Sequence, residues 1–360
     1  DTFASDLNPV ACLILKVMLE DIPRWGRQKL ELKKQNGEEI EAHGLVEALR
    51  IVGKEIKDAA EKAVKEFYPD DEDGARPIAY LWARTVRCES PNCGAEIPLM
   101  RSFWLSKKER RKYALRYQIM TKGEKIPEVE FEIFEPKYDS EVPSGNITRA
   151  KATCLCCNNV LTPERVRSQL AQQKGGSDPI FRVNGERIGG ARLTAVVTLK
   201  TGQQGRCYRL PNPKDYKSVW DAQKLIEKIA LDKLSNGLSV IPDEPTPAGG
   251  GSGAGRAFSI QKYGMMVFGD LFSARQKLGL INLCSSIANR LMSDTLTGSA
   301  LAEITAGVVS KRADYGSSST KWHLTFEKTT CTFGRQALPM TWDFVEPTPI
   351  GETSGAYGAG

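Results

Sequence analysis

Histidine is almost absent from the 360 residues: His43 and His323 are the two examples, which argues against histidine-based metal catalysis. Long apolar runs are missing as well. The best of them, Val10 to Leu19, is broken by Lys16 and falls short of the ~18–20 residues of a membrane span. A soluble chain with no membrane partner is therefore expected. No basic leader followed by an apolar stretch is seen, which points to the cytoplasm rather than to secretion. No internal repeat is found. Charge of one sign is scarce too, since fifty Lys+Arg against 44 Asp+Glu leave only +6, too dilute over the whole chain to imply a polyanionic partner. Residue 1 is Asp, and Asp1 to Asp6 read as the end of a strand, so the chain is expected to be cut at its N-terminus.

The composition that remains, 41% hydrophobic and 26% charged, is ordinary globular usage and suggests two or three units, or one core with an insertion. Apolar spacing predicts a helix after Pro9, with Val10, Leu13, Ile14, Val17 and Met18 on one stripe. A longer helix is expected from Leu45 to Phe67. Ile78 to Arg87 reads as a strand delivering Cys88, and Asn146 to Thr153 as a strand delivering Cys154. Beyond them come a helix over Thr162 to Gln173, a hairpin of Arg192 to Lys200 with Arg206 to Leu210, and a helix over Tyr216 to Leu234. Ile241 to Gly255 is a Pro- and Gly-rich loop, Leu271 to Met292 is helical, and Leu338 to Val345 is the last strand. The tail from Gly351 has no periodicity.

Nine cysteines is an odd number, and five of them crowd into Cys88-Glu-Ser-Pro-Asn-Cys93 and Cys154-Leu-Cys-Cys157. That usage suits a metal site in a reducing compartment better than a disulfide framework. Each pair ends a strand and sits among turn residues, and tetrahedral zinc needs four thiolates converging on one point. Cys88, Cys93, Cys154 and Cys157 are the expected ligands, with Cys156 competing for the fourth place. The competing readings are buried small side chains or a redox dithiol formed by Cys154, Cys156 and Cys157.

From Arg101 to Arg116 there are seven basic residues and one acid, so this segment carries the whole +6. Arg101, Lys107, Lys108, Arg110, Arg111 and Lys112 are interleaved with Trp104 and Tyr113, a mixture suited to phosphate backbones and stacked bases. A solvated charged face is the bland alternative. An acid at a strand end before a helix, here Asp6 with Asn8, fits a carboxylate that receives ribose hydroxyls, though a helix cap is the commoner role.

Four segments carry a more specific signal: Ala4 to Ala11 (Ala-Ser-Asp-Leu-Asn-Pro-Val-Ala); Pro77 to Cys88 (Pro-Ile-Ala-Tyr-Leu-Trp-Ala-Arg-Thr-Val-Arg-Cys); Gly269 to Phe272 with Arg275-Gln276; and Phe333 to Phe344. In this order they resemble a prokaryotic family of adenine-specific DNA methylases containing a zinc ribbon, some of which accompany anti-phage defence genes. The resemblance implies an α/β fold: a partial Rossmann-like methyltransferase core interrupted by a zinc-ribbon insertion. It implies S-adenosylmethionine and zinc as cofactors, with Asp6 and Asn8 at the cofactor and the four cysteines in the ribbon. It further implies double-stranded DNA as substrate, a restriction-modification setting, and other defence-system proteins as partners. The expected units are 1–76, partial core; 77–175, ribbon insertion with the basic segment; 176–265, hairpin, helix and loop; 266–350, return to the core; and 351–360, loose tail.

Two family motifs are missing: the glycine-rich cofactor turn and the Asp-Pro-Pro-Tyr that grips a flipped adenine. Gly249 to Gly255 follows no strand and does not replace the first. No catalytic residue is assigned. The leading expectation is a fragment of a DNA adenine methyltransferase, inactive alone and weak in cofactor binding. The alternative is a non-catalytic, zinc-stabilised nucleic-acid-binding module. Arg335 and Asp343 gather with aromatics near the end of the chain, where a cleft is expected, although a core strand with a polar edge accounts for most of those residues.

Overall fold

The computed structural model describes residues 5–33, 37–109, 111–121, 126–234, 236–250, 255, 257–291, 296–335 and 337–351. Arg110, the residues before Ser5 and the tail beyond Gly351 lie outside the described residues.

The chain opens with α1 (Pro9–Lys16), capped by Asn8, whose side chain accepts the Val10 N–H, while Pro9 occupies a position needing no donor. A π-turn leads to α2 (Ile22–Trp25), the hairpin β1 (Lys29–Lys33) and β2 (Glu39–His43), and α3 (Leu45–Val64). Gly44 starts α3 at φ +87, and a Cβ there would run into the Gly26 carbonyl, so the position requires glycine. Then come β3 (Arg76–Ala83), β4 (Thr85–Arg87), β5 (Glu96–Pro98), β6 (Trp104–Lys108), β7 (Arg111–Met120) and β8 (Glu128–Phe134). Short strands β9 (Ile147–Thr148), β10 (Lys151–Thr153) and β11 (Val160–Leu161) precede α4 (Pro163–Gln172), the hairpin β12 (Pro179–Phe181) and β13 (Arg187–Gly190), and β14 (Arg192–Leu199) with β15 (Cys207–Arg209). The described chain closes with α5 (Pro213–Ile229), α6 (Ala274–Leu291), α7 (Leu296–Tyr315), the bridge-like pair β16 (Trp322–His323) and β17 (Lys328–Thr329), and β18 (Asp343–Pro347).

The central sheet has the order β15-β14-β3-β18 and is antiparallel throughout. β3 is buried from Pro77 to Ala83 because both faces are covered. Tyr80 and Trp82 point to the face on which α3, α5 and α6 pack, and α3 presents Ala48, Val52, Ile56, Ala60 and Val64 there at helical spacing. Ala79, Leu81 and Ala83 point the other way, onto Phe103, Leu105, Leu115 and Val129 of the β6-β7-β8 sheet. Each fully buried side chain of this kind contributes roughly 1.5–3 kcal/mol. A polar knot crosses the helix face. The Glu346 carboxylate accepts from Tyr68 Oη (2.8 Å), Trp82 Nε1 (2.8 Å), and Arg275 Nε and Nη2 (2.9 and 3.0 Å). Three of the segments that carry the family resemblance thus lie at or beside one place, with Arg84 also bonding Thr341 O and Ser318 O.

The mixed α/β class stands, with corrections. The paired strands of every described sheet run antiparallel, and Ser5 to Asn8 form no strand, so a parallel Rossmann sheet is not seen among the described residues. The continuous apolar run of β3 fits either a parallel strand or an antiparallel one covered on both faces, and here it is the second. Asn146 to Thr153 is a hairpin rather than one strand: Arg149 and Ala150 take positive φ (49 and 65), the geometry of a tight two-residue turn. α5 stops at Ile229, and the last strand is Asp343–Pro347. β3 lies in the central sheet, so the cysteine-bearing elements begin after Arg84. No helix of the described residues is long and apolar enough to cross a membrane.

Candidate metal centre

The four sulfurs of Cys88, Cys93, Cys154 and Cys157 all lie within 4.8 Å of one another. Cys88 and Cys157 are 3.6 Å apart, and Cys93 and Cys154 are 3.8 Å apart. A tetrahedron of thiolates about 2.3 Å from a zinc ion has edges of about 3.8 Å. The sulfurs are too far apart for disulfides.

Two turns of matching construction hold them. In the first, β4 delivers Cys88 and β5 follows Cys93; in the second, β10 delivers Cys154 and β11 follows Cys157. The residue after each second cysteine is left-handed, Gly94 at φ 65 and Asn158 at φ 59. The first cysteine's N–H donates to the carbonyl two residues past the second, Cys88 to Ala95 O and Cys154 to Asn159 O, each at 2.8 Å. The amide two residues after each cysteine faces its sulfur: Ser90 on Cys88, Ala95 on Cys93, Cys156 on Cys154 and Asn159 on Cys157. Such amides stabilise thiolates and orient them toward a metal.

Beneath the turns, Val86, Ala95, Ile97, Ala152 and Leu161 pack with Val166 and Leu170 of α4. Gln169 of α4 completes the edge of β4, accepting the Arg87 N–H at 2.7 Å and donating to Arg87 O at 3.0 Å. Arg165 pairs with Glu89 inside the first turn at 2.7 Å. Burial pushes the thiols of Cys88 and Cys93 up, and that of Cys154 up to about 11. For exposed Cys157, burial also acts upward but is outweighed by the Asn159 amide and the three neighbouring thiols, so it sits below its ordinary value. A divalent ion would deprotonate all four, which makes metal affinity pH-dependent. Cys156 neighbours the cluster but is not one of the four sulfurs that lie within 4.8 Å of one another; burial raises its thiol, and it packs against the apolar residues beneath the turns. The open choice between Cys156 and Cys157 thus falls to Cys157.

The other sequence-derived residues are placed less suggestively. Asp6 accepts the Asn8 N–H at 2.7 Å and Asn8 caps α1, both at an exposed helix start. Two side chains so engaged do not build a cradle for S-adenosylmethionine, and no step through it is derived on this chain. Of the basic segment, Lys107, Lys108, Arg111 and Lys112 lie on the β6-β7 hairpin. Acids meet most of that charge: Lys112 is 2.8 Å and Lys107 4.0 Å from Asp139, Lys108 is 3.7 Å from Glu327, and Arg116 is 2.6 Å from Glu132. Lys107 and Lys112 stand 4.6 and 5.9 Å from the Trp104 ring centre. Arg101, before β6, has no ion-pair partner among the described residues, and the structure sets it beside Lys321, which the sequence did not single out. Comparison with family models, with curated proteins and with solved structures returns no match.

Proposed function

We propose that the chain is the zinc-stapled, DNA-contacting part of an S-adenosylmethionine-dependent DNA adenine methyltransferase. One observation supports this most: the four cysteines that the resemblance assigns to a zinc ribbon are the four whose sulfurs meet, with Cys156 left outside. Four thiolates at tetrahedral spacing with an amide behind each suit zinc or iron, and zinc is the ion that the resemblance assigns. The ion would supply no chemistry to a substrate, since four protein ligands close its coordination; it would hold the two turns together. The Rossmann-like core, the glycine turn and the adenine-gripping tetrapeptide belong to this reading of the parent enzyme, and no residue of this chain is assigned a catalytic role.

The test has two arms. Elemental analysis of the purified chain should find about one equivalent of zinc, and Cys88→Ser should lose it together with folding of the turns. A chain carrying well under a tenth of an equivalent, or carrying iron, would remove the zinc assignment. Calorimetric titration with S-adenosylmethionine should give weak or no binding, and tight binding would show that the chain holds a cofactor site of its own.

A further inference from the structure

Two adjoining cavities open between the central sheet and the loops before β16 and β18. They measure about 170 and 470 Å³ and share Arg101 and Lys321 as lining residues. The larger is also lined by Arg335 and Ser319, the smaller by Trp104, Trp322 and Asp343. These residues come from positions 101 to 343, and only the fold brings them together.

Three features point to an anion. Arg101, Lys321 and Arg335 have no ion-pair partner within 4 Å among the described residues, yet they sense one another: burial lowers the Lys321 ammonium, Arg101 and Arg335 lower it further, and Asp343 acts against them. Cations held this close need a counter-charge. Asp343 is the one carboxylate among the described lining residues; burial pushes it up to about 7 while Arg101 and Lys321 act downward on it, and even when ionised it offers a single negative charge to three cations. Ser319 lines the larger cavity, and its hydroxyl, buried (8% exposed), has no hydrogen-bond partner among the described residues. A buried hydroxyl left unpaired costs about 1–3 kcal/mol unless a ligand satisfies it. Guanidinium, ammonium and hydroxyl donors around one space match the oxygens of a phosphate.

We propose that Arg101, Lys321, Arg335 and Ser319 bind a phosphate group, and that its source is the backbone of a nucleic-acid strand. The smaller cavity supports that source. Its wall includes Trp104, whose ring carries Lys107 and Lys112, so the cavity adjoins the basic β6-β7 hairpin at this residue. A strand seated on Arg335 and Lys321 has a cationic path onward across Trp104. This inference rests on the DNA-contacting reading above and gives it a location.

The test uses the zinc-loaded full chain with a fluorescein-labelled DNA duplex, and separately with inorganic phosphate and adenosine monophosphate. Lys321→Gln/Arg335→Gln alters two residues that reach the surface, and equal zinc content with unchanged circular dichroism certifies the fold. The double variant should bind duplex at least about tenfold more weakly at low salt, with the slope of log affinity against log salt reduced by about two. Ser319→Ala should weaken binding without changing that slope. Wild-type affinity and slope in the double variant would overturn the groove while leaving DNA binding elsewhere intact. If the wild type ignores duplex but is stabilised by phosphate or the mononucleotide, and the double variant is not, the phosphate site stands and its nucleic-acid source is refuted. No response of the wild type to any probe refutes the site.

Discussion

Replacing Glu346 with Gln tests the reasoning on the central sheet most sharply. The Glu346 carboxylate takes four donors, two on each oxygen: Tyr68 Oη and Arg275 Nε on Oε1, Trp82 Nε1 and Arg275 Nη2 on Oε2. Arg275 is fully buried, and the anion holds its guanidinium above the ordinary range even though burial acts the other way. Tyr80 lies across the guanidinium at 4.1 Å, but a ring does not replace a charge. In Glu346→Gln one oxygen becomes an NH2 facing two hydrogen-bond donors, and the buried cation loses its anion. Removing one partner of a buried pair costs about 3–5 kcal/mol, against about 5–15 kcal/mol for a whole fold. The expected drop in urea midpoint is therefore a large fraction of the total, read by tryptophan fluorescence with Trp82 as a local reporter. Arg275→Met combined with Glu346→Leu should recover part of the loss, because the pair is then absent rather than broken. A cost below about 1 kcal/mol for Glu346→Gln, or a double variant as unstable as the two single changes summed, would refute the argument.

Three further outcomes are expected. Gly94→Ala should cost about 1–2 kcal/mol and weaken zinc retention against a competing chelator, because φ is 65 while the new methyl would meet only the Ile126 side chain at 3.7 Å; Asn158→Gly, at the matching position, should cost nothing, and equal losses at both would sink the matched-turn account. Asp343 is raised from 3.8 to about 7, so its folded form prefers the proton: the stability it gives is full below about pH 4 and is lost as pH climbs to 7, by at most about 4 kcal/mol. Asp343→Asn should therefore flatten the stability profile between pH 4 and 7, and parallel profiles of variant and wild type would contradict the raised value. Arg84→Met should cost 3 kcal/mol or more, since it strips donors from the buried carbonyls of Gly175, Ser318 and Thr341; a cost under about 1 kcal/mol in urea unfolding would show those carbonyls to be satisfied otherwise.

What the sequence made legible follows from which signals are local. The long helices α3 and α5 announce themselves because their apolar residues repeat at helical spacing, and the cysteine turns because thiolate chemistry demands short spacings at strand ends. The expected choice of Cys157 over Cys156 has a local signal as well: Gly94 and Asn158, after each second cysteine, are the types that tolerate positive φ. Other features were hidden for physical reasons. α7 spreads its apolar residues around the helix and interrupts them with Gly307, so it shows no stripe. The β6-β7-β8 sheet is masked by its charge, which reads as a run although Lys107, Lys108, Arg111 and Lys112 are strand residues and the three lysines meet acids at Asp139 and Glu327. β3 shows equal apolarity whether its neighbours run parallel or antiparallel. Arg101, Lys321 and Arg335 share no window of sequence at all.

The passage from β3 into β4 has a mechanical consequence. One residue, Arg84, separates the central sheet from the strand that enters the first cysteine turn, and it is clamped by its own N–H to Trp342 O and by its guanidinium to the neighbouring Thr341 O and to two further segments, at Gly175 and Ser318. No linker intervenes, so the cysteine-bearing hairpin is a rigid arm of the sheet rather than a domain on a hinge. A load applied at the cysteine turns is carried directly to β3, the strand on which both faces of the core depend.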